Sequence, residues 1–526
     1  MASPRKLVLV LVDSLRSDML LRTVAAGDAP TFKRLLERGE HVPDCVSSFP
    51  SVTPVCTSEI TTGVRPDRHL IPGMNWYHRT EQRYVEYGSS FEATRAFGLF
   101  RSLYDTVYNL NMGHLNHETL TCFERLGDAG LRTACTPFLI YRGRTRHEVG
   151  LEGLLKAFAN AAKFHHAVWG PDELFYGELY SSRKVNCKPT LARPATRDAY
   201  SACVGRDLVE HDLYDFLLFS LPDNDYFSHR DGPEGTQESI ALADDALSEL
   251  VDAHGGMDPF LETNGVIVVA DHSQSDVSKA LPLAAGLGGR WEVLQPNAEL
   301  DGSQELAVGP SGRAAGVWIL RDGQEREAMA LRLRSLIERD VDGVELVAWR
   351  TGDEGGASGG EAAVRRDGRE LRFRPDPSGA VLDARGVSWS VEGDLAALRA
   401  TVHDGRFDAP DYPDALMRLY AAVRNPNSAD LLLSLAPDWE CVDWGGTTHV
   451  PGGSHGSLRA ADSLGILLTV GLDGVRPERE QWAISDVAGL IDGHFGITDG
   501  SAPSTIAADV DPSADATPAP TGAAGA

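Results

Sequence analysis

Three aspartates and three histidines are notable for where they fall. Asp13 closes the apolar run "KLVLVLVD", Asp225 and His229 follow "DFLLFSLP", Asp271 and His272 follow "GVIVVA", and His455 lies in the glycine-rich "PGGSHGS". Carboxylates mixed with imidazoles are the donor set of two divalent ions with N/O coordination. Zinc suits them best, with manganese or iron as alternatives. Each piece alone has a plain structural use, since a strand-ending Asp caps helices and a "GSHGS" loop makes a turn. Their shared position at the ends of apolar runs is what marks them as one site.

The stretch "FPSVTPVCTSEITTG" (49–63) adds chemistry of another kind, six hydroxyl side chains in fifteen positions. An unassisted alcohol is protonated at neutral pH, and no general base neighbours this stretch in sequence. A divalent ion removes that obstacle by lowering the pKa of an oxygen bound to it. One of the hydroxyls is then a candidate nucleophile, and the others cap, pack or face solvent.

These residues need a scaffold that brings distant segments together. Residues 6–13, 215–225 and 265–273 repeat one design, an apolar β-branched strand ending in an acid, as strands buried in a parallel sheet do. "ADLLLSLAPD" (429–438) and "LGILLTVG" (464–471) read as further core strands, and "APTFKRLLERG" (29–39) and "TQESIALADDALSELVDAHG" (236–255) read as helices. The alternation predicts an α/β fold with a mostly parallel central sheet flanked by helices. In such sheets ligands bind beyond the carboxyl ends of the strands.

Residues 1–284 and 426–497 are expected to form the catalytic core, with 80–210 a helical elaboration over the site. Residues 285–425 break the alternation and read as an inserted α+β subdomain. The Ala/Pro/Ser/Gly-rich stretch 498–526 reads as a disordered tail.

The formal charge of −27 disfavours a nucleic-acid polymer as partner. Seven widely spaced cysteines without a CxxC pair argue against a disulfide framework and against a cysteine zinc site. The first apolar run is short and leads straight into Asp13. No stretch approaches the ~18–20 apolar residues of a membrane span. The expectation is a cytoplasmic protein with no membrane partner; the sequence leaves the oligomeric state open.

Taken in order, these motifs resemble the alkaline phosphatase superfamily, in its type I phosphodiesterase/nucleotide pyrophosphatase branch. "VLVLVDSLRSDML" is similar to that family's opening strand and metal aspartate, and "FPSVTPVCTSEITTGVRPDRHLIPG" to its nucleophile segment. "NDYFSHRDGP" has Ser228 where the family usually has Gly, and "VIVVADHS" and "GGSHGS" resemble the last two metal segments. The resemblance implies Thr53 as the nucleophile, one ion held by Asp13, Thr53, Asp271 and His272, and a second held by Asp225, His229 and His455. Asp223 and His449 are the rival ligands.

It also implies an Asn that donates to a phosphate oxygen. The candidate is Asn75, although an ungapped count from Gly63 lands on Met74. Backbone N–H groups after Thr53 are expected to add anion stabilisation if Thr53 opens a helix. Cys56 lacks the Pro and Arg of a sulfatase-type nucleophile and reads as a small buried residue. The implied function is metal-dependent hydrolysis of phosphodiester or pyrophosphate bonds in small, nucleotide-like substrates through a phospho-threonine. The alternatives are a phosphomonoesterase, phosphonate hydrolase or phosphomutase with the same ligands, and a non-catalytic metal-stabilised binding protein.

Overall fold

The computed structural model describes residues 5–150, 166–176, 179–188, 196–352, 360–474 and 476–497. The tail reading for 498–526 lies outside them. Strand Lys6–Val12 is buried along six of its seven residues and forms the middle of an eight-stranded sheet. It pairs in parallel with Phe216–Leu221 on one side and Asn264–Val269 on the other. The registers Val12 with Leu221 and Leu11 with Val269 bring the three carboxyl ends level.

Leu464–Val470 runs antiparallel to Asn264–Val269, so its amino end, and the loop leading into it, reaches that same edge. Glu40–Val46 is antiparallel to Leu464–Val470 and therefore points its own carboxyl end there too. Five segments that are distant in the chain thus converge on one rim.

The sheet is α/β and mostly parallel, as expected. Helix Gln237–Ala253 packs on one face through Ile240, Ala243, Leu247 and Leu250. On the other face a larger apolar core runs from Leu7, Leu9 and Leu11 through to Phe373, Trp389 and Leu416.

Two expectations about organisation need correction. Residues 80–210 are not simply a helical elaboration, because Thr133–Cys135, Glu173–Tyr176 and Tyr180–Ser181 extend the central sheet. These strands are only two to four residues long, too short to show a periodicity. Leu431–Leu435, read as a strand of the catalytic core, instead lies between Ala314–Ile319 and Val344–Thr351 in a second, ten-stranded sheet. A fully apolar run is equally at home in either buried sheet, so pattern alone does not choose.

Helix Gly323–Asp340 covers the second sheet through Met329, Leu333 and Ile337. The sheet shares its other core with the first, so the insertion is not a detached unit.

Cys187 and Cys203 form a disulfide, contrary to the reading of the spacing. They lie 16 positions apart, and Cys203 sits in helix Arg197–Glu210. The other five cysteines are free and buried, Cys56 among them, and burial pushes the Cys56 thiol well up. No helix of the described residues is long and apolar enough to cross a membrane.

Candidate metal centre and active site

Thr53 is the first residue of helix Thr53–Thr62, with Val52 rather than Thr53 in the capping position. Its hydroxyl is therefore not spent on a cap; it lies 3.3 Å from His272 Nε2. The other five hydroxyls of the stretch are tied to backbone. Thr57, Ser58, Thr61 and Thr62 donate to carbonyls one turn back, and Ser51 donates to the Ser457 carbonyl. The expected anion-binding N–H groups are not free, since Pro54 has none and Val55 and Cys56 both donate to the Val52 carbonyl.

Asp13, Asp271 and His272 place their donor atoms within 4.8 Å of one another, and Asp225, His229 and His455 form a second such group. His272 Nε2 is 3.7 Å from Asp13 Oδ1 and 3.3 Å from Asp271 Oδ2. In the other group Asp225 Oδ1 is 3.5 Å from His229 Nε2 and 3.7 Å from His455 Nε2. The rings of His272 and His455 stack with centroids 3.8 Å apart and join the two groups.

Three observations fit both groups to cations. First, each histidine faces a backbone carbonyl through Nδ1: His229 to Gly453 at 2.8 Å, His455 to Ser51 at 2.7 Å and His272 to Ser273 at 3.3 Å. That fixes the tautomer and leaves the Nε2 lone pair for a metal. Second, Asp271 Oδ2 is buried with no hydrogen-bond partner, while Oδ1 accepts from the N–H groups of Ser14 and His272. An orphaned buried carboxylate oxygen is costly unless a cation meets it.

Third, burial, with Asp271 and Asp225 nearby, pushes Asp13 well above the usual carboxylate range, and burial pushes Asp271 up to about 6. Burial would raise Asp225 as well, but His229, His455 and His272 hold it below its ordinary value. Burial lowers those three imidazoles to about 4, so they are neutral and ready to ligate at pH 7.

The rival ligands have other partners. Asp223 accepts from Arg197 Nε at 2.9 Å and from the Asp198 N–H at 3.0 Å. His449 stacks on His229 at 3.8 Å but gives its Nδ1 to Glu440 Oε1 at 2.6 Å.

Asn75 is corrected as a substrate contact. Its side chain is buried, and its amide donates to the Pro310 carbonyl at 2.5 Å. Met74 lines the cavity instead. Side chains alternate across an extended strand, so a one-residue offset exchanges cavity for core.

Sequence reasoning missed Ser14 and Gln274. Ser14 Oγ donates to Asp225 Oδ1 at 2.7 Å and lies 3.2 Å from His272 Nδ1, so it touches both groups. Gln274 Nε2 donates to the same Asp225 oxygen at 2.5 Å. The only signal was adjacency, in "DS" and "DHSQ".

His78, Glu81 and His114 also approach one another. Here His78 Nδ1 accepts the Glu81 N–H at 3.1 Å, which puts the proton on Nε2, facing Glu81 Oε1 at 3.3 Å. That is the opposite tautomer from a metal ligand, and Arg83 bonds the other Glu81 oxygen. This cluster is a closed hydrogen-bonded network.

The two donor groups open into a cavity of about 850 Å³ lined by Asp13, Thr53, Asp225, His229 and His455. Two solved structures share the fold, both of a phosphonoacetate hydrolase from Sinorhizobium meliloti 1021, one with phosphonoformate and one with phosphonoacetate. Each superposes with a TM-score of 0.52 at 15% identity over 93% of this chain and 96% of that one. No curated protein matches the chain. The family model for type I phosphodiesterase / nucleotide pyrophosphatase matches residues 7–458, a span that takes in Thr53 and both donor groups, and the chain belongs to that family.

Proposed function

We propose that the protein is a metal-dependent hydrolase that cleaves phosphodiester or pyrophosphate bonds of small substrates through a phospho-threonine at Thr53. The observation that carries this reading is the position of Thr53 Oγ1, 3.3 Å from His272 Nε2, without the backbone bonds that occupy the other five hydroxyls of its segment. Asp13, Asp271 and His272 would hold one divalent cation with Thr53, and Asp225, His229 and His455 a second, with zinc first by donor chemistry. When bound, such ions supply Lewis-acid stabilisation of phosphoryl oxygens and lower the pKa of an oxygen they contact.

The chain's own residues then do the following. The N-terminal position of Thr53 on its helix projects the hydroxyl into the cavity. Its oxygen bonds to phosphorus while the bond to the leaving oxygen breaks, the electron pair departing with that oxygen and the hydroxyl proton passing to solvent. Water then adds to phosphorus, the bond to Thr53 Oγ1 breaks, and the hydroxyl is restored by a proton. The Nδ1 contacts to Gly453, Ser51 and Ser273 keep the three imidazoles oriented through both steps.

The test measures metal content, then turnover of bis-p-nitrophenyl phosphate and p-nitrophenyl phosphate by wild type and Thr53→Ala. Thr53→Ala is expected to lose at least about 10³-fold in kcat, with the diester the faster substrate. Full activity of Thr53→Ala removes the nucleophile assignment. A faster monoester makes the protein a phosphatase. Absence of metal together with no turnover leaves the binding-protein reading.

A further inference from the structure

The metal cavity does not end at the donor groups. Tyr87, Phe91, Pro137, Phe138 and Tyr176 also line it, and through Gly88, Pro137 and Tyr176 it continues into a groove of about 310 Å³. Leu99, Leu103 and Val107 line that groove at a spacing of four along the continuous helical run 99–114, and Leu179 lines it as well. Repetition at that spacing makes one apolar stripe.

The mouth is apolar too. Of the six large apolar side chains that are exposed among the described residues, Phe91 lines the cavity and Leu99 lines the groove. An exposed apolar patch continuous with a catalytic cavity points to a ligand.

Charge argues in the same direction. Among the described residues that line the main cavity the guanidinium groups are Arg197 and Arg230. Each is already hydrogen-bonded to a carboxylate, Asp223 at 2.9 Å and Asp231 at 2.7 Å. A substrate with several phosphates would need further cations to offset a chain of formal charge −27. The groove instead offers surface from which only an apolar group gains.

We infer that the substrate is a phosphoester bearing an alkyl or acyl chain, with the phosphoryl group at the two donor groups and the chain lying past Tyr176 along Leu99, Leu103 and Val107. This rests on the proposed phosphoester hydrolysis for where the phosphoryl group sits.

The test is calorimetric binding of methyl-, butyl- and octylphosphonate to the zinc-supplied protein, which needs no turnover. Affinity is expected to rise roughly two- to fourfold per methylene that enters the groove, making octylphosphonate at least about 30-fold tighter than methylphosphonate. Leu99→Glu, at a position already 45% exposed and so safe for folding, is expected to flatten that gradient. Leu103→Glu is the second variant. Equal affinity along the series, or a gradient that both variants leave intact, overturns the assignment. Turnover of alkyl p-nitrophenyl phosphates separates the two readings. A binding gradient without hydrolysis of any ester supports the groove and discards the hydrolase, whereas hydrolysis with flat binding does the reverse.

Discussion

Arg313 Nη1 lies 2.5 Å from Asp462 Oδ1, and both side chains are closed off from solvent. Arg313 belongs to the hairpin between Leu306–Ser311 and Ala314–Ile319 in the second sheet, and Asp462 to the short helix Ala460–Ser463 that follows the His455 loop. The hairpin also donates the Arg313 N–H to the His455 carbonyl at 2.7 Å, and Asp462 Oδ2 accepts the Ser457 N–H at 3.0 Å. The second sheet thus clamps a proposed metal ligand at the rim of the first.

Arg313→Met should leave Asp462 buried without its cation and cost about 3–5 kcal/mol of stability. It should also weaken metal retention at the Asp225 group, read by elemental analysis after dialysis. Arg313→Met/Asp462→Leu should recover stability but not metal retention. Unchanged stability and metal content in the single variant would show that the clamp does not matter.

Ser14→Ala should reduce metal affinity 10- to 100-fold, because it removes a donor to Asp225 and a neighbour of His272 without touching a ligand. Competition with a chromophoric chelator reads this directly. An affinity within twofold of wild type would count against the orienting role.

Metal removal should destabilise the protein, and more so as pH rises. Asp13 and Asp271 are raised in the ion-free site, Asp271 to about 6. A group whose folded pKa is raised stabilises the fold below its unfolded pKa, and that contribution is lost as pH climbs through the folded value. The ion-free protein should therefore lose stability from about pH 4 to beyond 6, whereas bound cations would compensate the ionised carboxylates. The difference in Tm between zinc-supplied and chelator-treated protein is expected to grow between pH 5 and 7.5, reading by reading. A constant or shrinking difference contradicts it.

Glu86→Gln should stabilise the protein at alkaline pH. Burial, with Asp443 adding repulsion, pushes Glu86 up to about 8. Its Oε1 accepts from Gly88 N, Ser89 N and Ser89 Oγ, bonds that an amide oxygen keeps. The sign follows as before: wild type loses the contribution as pH rises from about 4.5 through 8, and the amide has no such loss. Scanning calorimetry should find the variant's Tm advantage larger at pH 8.5 than at pH 5.

The fold class and most of the donor set are legible in the sequence because parallel strands buried on both faces write unbroken apolar runs, and the residues of the two donor groups follow their ends. Asp13, Asp225, Asp271 and His272 are all found this way. His455 is harder, since it precedes an antiparallel strand and is found by its motif. Ser14 and Gln274 leave only their adjacency to Asp13 and His272 as a signal, because their contacts depend on the register that sets Val12 against Leu221. Asn75 shows the opposite error. Its residue type suits the chemistry, yet the alternation of a strand turns it inward. The membership of Leu431–Leu435 in the second sheet is a matter of partner choice between two buried sheets, which local pattern does not encode.

Leu464–Val470 has a consequence for the order of events during synthesis. It lies between Glu40–Val46 and Asn264–Val269, which have no direct pairing with each other. A nascent chain that has not yet emitted residue 470 lacks the strand that fixes the Thr53 segment to the sheet, and a chain stopped before residue 455 also lacks the last histidine of the two donor groups. Under the proposed function, ribosome-bound or prematurely terminated fragments would be chemically silent, and competence would arrive late, with the closing of the last gap in the sheet.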